Sequence, residues 1–110
     1  MIAPKLVAAS SVGIVLSILL QGESYGYAIL QRVRQVSRGQ LEWNEGMLYP
    51  VLHRLEQEGL VTARWDETCG ARRRKYYRLS EKGAAQLVHE REQWNTVDAA
   101  MRELWSASHA

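Results

Sequence analysis

Apolar positions along this chain recur with a helical period in four stretches and alternate in two shorter ones. Residues 4–21 carry Leu6, Val7, Val12, Val15, Leu16, Leu19 and Leu20 behind Pro4, which suits a first helical turn. Hardly any polar face remains, so this helix needs cover on several sides, from its own core and from a partner chain. "QGESYG" reads as a turn with Ser24 as candidate N-cap, leading into a second helix over about 25–37. There Ile29, Leu30, Val33 and Val36 form an apolar stripe opposite Gln31, Arg32, Arg34 and Gln35, and Gly39 is the expected C-cap. The third helix is "NEGMLYPVLHRLEQEG", capped by Asn44 and closed by Gly59. Leu48, Val51, Leu52 and Leu55 form its core stripe, while Tyr49, His53 and Gln57 share a different face with Glu45 a turn before them. Pro50 sits inside this pattern, and its ring meets the carbonyl of Gly46, where a glycine backbone can adjust. Alternatively the helix proper starts nearer Leu48, which puts Pro50 in the first turn.

The period then changes. In "LVTARWD", Val61, Ala63 and Trp65 alternate with Thr62, Arg64 and Asp66, the signature of a half-buried strand. "KYYRLS" is a second strand, with Tyr77 and Leu79 on one face and Tyr76 and Arg78 on the other, so the two form a β-hairpin. A last helix over about 81–106 begins at Ser80 as N-cap. Leu87, Trp94, Val97, Met101 and Leu104 fall on the a and d positions of a seven-residue repeat, with Glu90 as the polar exception. About three heptads make a short coiled coil, long enough to pair with a symmetry mate if other surfaces help.

Charge changes the picture at one place only. The chain has 14 basic and 12 acidic side chains, yet Arg72, Arg73, Arg74, Lys75 and Arg78 crowd together with no acidic residue between Thr68 and Ser80. A local patch of this kind attracts a polyanion even when net charge is near zero. The alternative for such a cluster is a solvated surface, and its place at a hairpin tip after a recognition-like helix favours phosphate binding. The single Cys69 excludes an internal disulfide and fits a reducing compartment; it is either a tolerated loop thiol or a redox-sensitive one beside arginines. His53, His89 and His109 lack partners at metal-ligand spacing, no serine stands in a nucleophile motif, and no phosphate-cradling glycine motif occurs. Metal, cofactor and enzyme readings therefore fall away.

At 110 residues the chain is one unit, mainly α with a small β-hairpin. Three helices followed by a hairpin is the order of a winged helix-turn-helix, whose third helix enters the major groove and whose wing lies along phosphates. Glu45, Tyr49, His53 and Arg54 are the candidates for base edges and phosphates on that helix. Arg72, Arg73, Arg74 and Lys75 are the candidates for neutralising phosphates and releasing counterions from the wing. The expected division is 1–80 as the DNA-binding winged helix, with the first helix also in a dimer interface, and 81–110 as a C-terminal dimerisation helix.

The stretches "SYGYAI", "EWNEGMLYPVLHRLEQEGLV" and "GARRRKYYRLSEKG" resemble the PadR family of bacterial transcriptional regulators, over roughly residues 12–83 and in register throughout. The C-terminal helix has the length of the shorter, single-helix branch. The resemblance implies a cytoplasmic homodimeric repressor that binds an inverted-repeat operator in double-stranded DNA and is released by a small molecule. It maps the groove-entering helix onto residues 44–58, a phosphate-contacting tyrosine onto Tyr49 and the basic wing onto Arg72 to Lys75. In drug-binding members a tryptophan on the last helix stacks on flat aromatic ligands at the dimer interface, with an acidic residue one turn later. "EQWNTVDAAM" is similar to that segment and puts Trp94 and Asp98 in those roles, a pair suited to a cationic or polar aromatic effector. Leu87, Trp94, Val97, Met101 and Leu104 are the expected dimer contacts, so Trp94 is either ligand-contacting, dimer core or both.

Trp43 before the third helix can act as a hydrophobic staple against Leu48, and Trp65 and Trp105 read as packing residues. Two rival functions stay open: a winged-helix protein–protein module without DNA binding, and a membrane-associated or exported protein. The second arises because residues 6–20 are uncharged and follow Lys5, as in a signal peptide. Against it stand the shortness of the run for a membrane span, its bulky end at Ile18, Leu19 and Leu20, and a fold that needs a helix there.

Overall fold

The computed structural model describes residues 2–67 and 73–107. Cys69, Arg72 and His109 lie outside the described residues. The elements run α1 (Pro4–Leu20), β1 (Ser24–Tyr25), α2 (Gly26–Val36), α3 (Glu45–Gln57), β2 (Val61–Asp66), β3 (Arg74–Leu79) and α4 (Glu81–Ala107). The three strands form one antiparallel sheet in the order β1-β3-β2.

The core explains why the first helix is apolar nearly all round. Val15, Leu16 and Leu19 of α1 are buried with Ile29 and Val33 of α2, Leu48, Leu52 and Leu55 of α3, and Val61 and Tyr77 of the sheet. The uncharged N-terminal run is thus a core helix over its second half, while Leu6 and Leu20 stay exposed. No helix among the described residues is long and apolar enough to cross a membrane.

Helix boundaries follow from local chemistry. The Asn44 side chain accepts the Met47 N–H at 3.0 Å and satisfies one of the orphan donors that start α3. Trp43 and Leu48, at the two staple positions around that cap, both belong to the buried core. Pro50 does lie inside α3, which begins at Glu45 and not nearer Leu48. At the other end Gly59 takes φ +75°, its N–H reaches the Glu56 carbonyl at 3.1 Å, and the Leu60 N–H reaches Leu55 at 2.9 Å. This is a Schellman closure, with Leu55 and Leu60 both buried beside it.

The end of α2 differs from expectation by one residue. The left-handed C′ position belongs to Arg38 at φ 53°, and Gly39 follows, donating to the Arg34 carbonyl at 2.8 Å. A non-glycine residue in that region is strained by its Cβ. Arg38→Gly should therefore raise stability by up to about 1 kcal/mol, read as a higher urea midpoint at unchanged slope. A lowered midpoint would show that the arginine side chain compensates the strain.

Ser24 is a further correction. It does not cap α2, whose N-cap position is Tyr25 with no side-chain cap bond. Instead Ser24 pairs with Tyr77 and Tyr25 with Tyr76, so the expected hairpin gains a third, two-residue strand. The hairpin itself has the expected faces, with Val61 opposite Leu79 and Ala63 opposite Tyr77 towards the core. Trp65 and Lys75 are the next pair on that same face. There the strands have run past the core, and Trp65 is 53% exposed rather than packed into it.

Ser80 caps α4 as expected, accepting the Gly83 N–H at 2.9 Å. Its hydroxyl also donates to the Gly59 carbonyl at 2.6 Å, and Lys82 Nζ donates to the Glu58 carbonyl at 2.8 Å. The start of α4 is thereby tied to the end of α3. Leu87 is the last residue of α4 buried by this chain, and everything from Arg91 to Ala107 is exposed.

Candidate nucleic-acid interface

Side chains from α3 and from the wing line one open groove. Glu45, Tyr49 and His53 face it from α3, Arg73, Arg74, Lys75 and Trp65 from the wing, and Tyr25 and Tyr27 from the β1–α2 junction. Glu45, Tyr49 and His53 recur every four residues and so share one helix face. Arg54, one residue on from His53, belongs to a different surface beside Trp43, Met47 and Val51 on one side and Glu58 and Lys82 on the other. Among the described residues expected to act together, Arg54 is the one that does not line this groove.

The basic residues of the wing are held by aromatic faces. The Arg73 guanidinium lies 4.5 Å from the Trp65 ring centre, and Arg74 lies 4.6 Å from that of Tyr25. Both rings therefore support cations, where periodicity assigns one to packing and leaves the other to a turn. Arg73 also pairs with Glu67 at 3.2 Å, an exposed contact of little energetic weight.

Lys75 is more deeply engaged than its neighbours. Its ammonium meets Glu56 Oε1 at 3.2 Å and sits 5.4 Å from the Tyr77 ring centre. Partial burial works against its charge, but the hydrogen bond and charge of Glu56 prevail and hold it above its ordinary value of 10.5. A raised folded-state value means this contribution is complete below 10.5 and is lost only as pH rises through the higher folded value. Near neutrality the strut between α3 and wing is insensitive to pH. Burial likewise pushes the Tyr77 hydroxyl above the ordinary tyrosine range.

Tyr49 is fixed by what lies beneath it. A Cβ on Gly26 would overlap the Tyr49 hydroxyl oxygen and stand 3.0 Å from its Cζ, so only glycine lets the ring lie where it does. His53 and Gln57, one turn apart, meet at 3.3 Å between their Nε2 atoms.

The outer face of the sheet carries a second polar array that no sequence motif singles out. Glu23 accepts two hydrogen bonds from Arg64, at 2.8 and 2.6 Å, and that contact holds its carboxyl below the ordinary 4.5. Arg64 lies 4.9 Å from the ring centre of Tyr76, which meets Tyr25 edge-on at 5.3 Å.

Trp94 lines a separate shallow groove of roughly 400 Å³ with Gly13, Ile14, Ser17 and Ile18 of α1, Arg32 and Val36 of α2, and Glu90 and Arg91 of α4. A Cβ on Gly13 would stand 3.7 Å from Glu90 Oε2 and 4.0 Å from Trp94 Nε1, so Glu90 and the indole meet the same point of α1. Asp98, one turn after Trp94, pairs with Arg102 at 2.9 Å on the exposed part of α4. The polar break that Glu90 makes in the heptad pattern is the sequence signal for it. Val97, Met101, Leu104 and Trp105 are exposed, whereas Leu87 belongs to the chain's own core. No group of three or more His, Cys, Asp or Glu able to hold a metal occurs among the described residues.

Known proteins share this fold. A transcriptional regulator of Clostridium thermocellum superposes with TM-score 0.85 at 27% identity over 94% of this chain and 97% of the other. A PadR family transcriptional regulator of Eggerthella lenta gives 0.80 at 31% identity, over 91% of this chain and 85% of its own. The transcriptional regulator YqjI of Escherichia coli is 29% identical over 81% of this chain, which spans only 41% of that longer protein. The sequence model of the Transcriptional regulator PadR-like family matches residues 15–89, from the buried half of α1 through the wing into α4. This chain belongs to the PadR-like family of transcriptional regulators, which are not enzymes.

Proposed function

We propose that the chain is a cytoplasmic homodimeric repressor that grips an inverted-repeat operator with α3 and the wing. The observation that carries this reading is the single groove in which Glu45, Tyr49 and His53 face Arg73, Arg74 and Lys75. Hydrogen-bonding groups on one helix face beside stacked guanidinium groups suit base edges flanked by phosphates. Arg73 and Arg74 are the phosphate contacts, together with Arg72 as expected from sequence, and Lys75 braces the wing through Glu56. Residues 1–80 form the reading unit and 81–110 the dimerisation helix. Trp94, Val97, Met101 and Leu104 support that division, because an exposed apolar stripe on a helix projecting from its own core is suited to a partner. Two reading heads held about one DNA turn apart, ~34 Å, would match successive major grooves on one duplex face.

Repression is relieved by a flat aromatic compound in the groove beside Trp94. Such a ligand acts by binding more tightly to a dimer whose reading heads no longer match the half-site spacing. Glu90 beside Trp94 favours a cationic or hydrogen-bond-donating ring system.

Two measurements test these steps. The duplex upstream of the protein's own gene should be bound more tightly than a scrambled duplex, with affinity falling steeply in salt. Equal binding to both would sink the repressor reading, and no salt-dependent binding to any duplex would favour a protein–protein module. Flat aromatic cations should quench tryptophan emission in the wild type and not in Trp94→Phe. Identical quenching in both proteins would place the ligand elsewhere.

A further inference from the structure

The reading helix and the wing are separate elements, and the short β1–α2 junction touches both. Gly26 lies against Tyr49, where any Cβ would overlap the tyrosine hydroxyl. The residue before it, Tyr25, carries the Arg74 guanidinium 4.6 Å from its ring centre. Tyr25 is itself placed by strand pairing with Tyr76, whose ring it meets at 5.3 Å. Tyr76 in turn lies 4.9 Å from Arg64, which Glu23 grips with two hydrogen bonds. Two rings meeting edge-on thus stand between two guanidinium groups across all three strands, and the row ends at the groove.

We propose that Tyr25 and Gly26 are positioning residues for duplex binding, Gly26 seating the Tyr49 ring and Tyr25 holding the Arg74 guanidinium. The two-residue strand then sets the spacing between reading helix and wing. An arginine side chain that is already ordered loses less rotamer freedom on meeting a phosphate, so affinity rises without a new contact. This role rests on the DNA-binding reading proposed for the groove.

The test uses the full chain as Tyr25→Leu, Tyr25→Phe and Gly26→Ala, with Tyr25→Leu also made in an Arg74→Ala background. In the free protein, the NMR signal of the Arg74 Nε proton should show a ring-current shift. Tyr25→Leu should abolish that shift, and Tyr25→Phe and Gly26→Ala should keep it. On the upstream duplex, Tyr25→Leu should bind about five- to tenfold more weakly, Tyr25→Phe like wild type, and Tyr25→Leu should add no loss to Arg74→Ala. Gly26→Ala should weaken binding through a displaced Tyr49, with the melting temperature preserved. An unchanged Arg74 signal in Tyr25→Leu overturns the proposal. So does equal loss in both backgrounds, which would make Tyr25 a duplex contact, and so does full affinity in Gly26→Ala. A wild type with the shifted Arg74 signal but no duplex binding refutes the DNA-binding reading itself, and the positioning role with it.

Discussion

The Arg73→Ala, Arg74→Ala double variant is expected to bind its duplex about 100-fold or more weakly while melting within a few degrees of wild type. Each guanidinium that meets a phosphate releases condensed counterions, and each one removed flattens the plot of log affinity against log salt by about 0.9. Across the two wings of a dimer the variant lacks four such guanidinium groups, so the slope should become shallower by about 3 to 4. A charged hydrogen bond contributes about 1.5–3 kcal/mol, so the absence of even two accounts for the expected drop. The fold should tolerate the change because both residues are exposed, and the Arg73–Glu67 pair is a surface contact. Titration at several salt concentrations checks both numbers. A lower affinity with an unchanged slope would mean the arginines act by stacking on Trp65 and Tyr25 and not by meeting phosphates.

Gly83→Ala should produce the largest loss of stability in the protein, about 3 kcal/mol, the upper part of the range for overpacking. A Cβ there would fall on the Leu60 carbonyl oxygen and come within 2.8 Å of Leu79 Cδ1 and 3.0 Å of the Leu60 carbonyl carbon. The obstacle is backbone and cannot rotate aside. That same carbonyl accepts the Ser80 N–H at 3.1 Å, so moving it breaks the junction between α3, β2 and α4. At about 4 °C per kcal/mol, the thermal midpoint should fall by roughly 12 °C. An unchanged midpoint would mean that α4 can slide on the α3 end at no cost, and the Ser80 and Lys82 ties would then carry little. The glycine is needed for its missing side chain, since only without one can α4 start this close to Leu60.

These two positions also show what is legible in the sequence. The arginines announce themselves by composition, being a run of positive charge in a nearly balanced chain. Gly83 does not, because its neighbour Leu60 is remote in sequence and nothing local requires a glycine there. The same distinction holds elsewhere. Asn44, Gly59 and Ser80 are readable as caps because capping is a contact within a few residues. Ser24 looks like a cap for the same reason, and it becomes a strand only because β3 lies beside it. Two residues carry no periodicity from which a strand could be inferred.

The recognition face is half legible. Glu45, Tyr49 and His53 share a face by helical spacing alone, whereas Arg54 is five residues from Tyr49, about 140° around the helix. Chemistry suggests that it belongs with them, and geometry turns it towards Trp43 and Glu58. Trp65 reads inward from its alternation, correctly as to face. Its surroundings differ because the hairpin outruns the core, leaving the indole to support Arg73.

By itself, then, the sequence determined the four helices, the hairpin, the caps at Asn44, Gly59 and Ser80 and the basic character of the wing, since these follow from periodicity, local hydrogen bonding and charge density. Its motif spacing was also enough to indicate the family. Only the tertiary structure decided that Tyr25 and Gly26 touch both the wing and the reading helix, that Lys75 answers to Glu56, and that Gly83 lies against Leu60. Each of these contacts joins residues distant along the chain. One-dimensional pattern carries the direction in which a side chain leaves its own element; what it meets there depends on the neighbouring element.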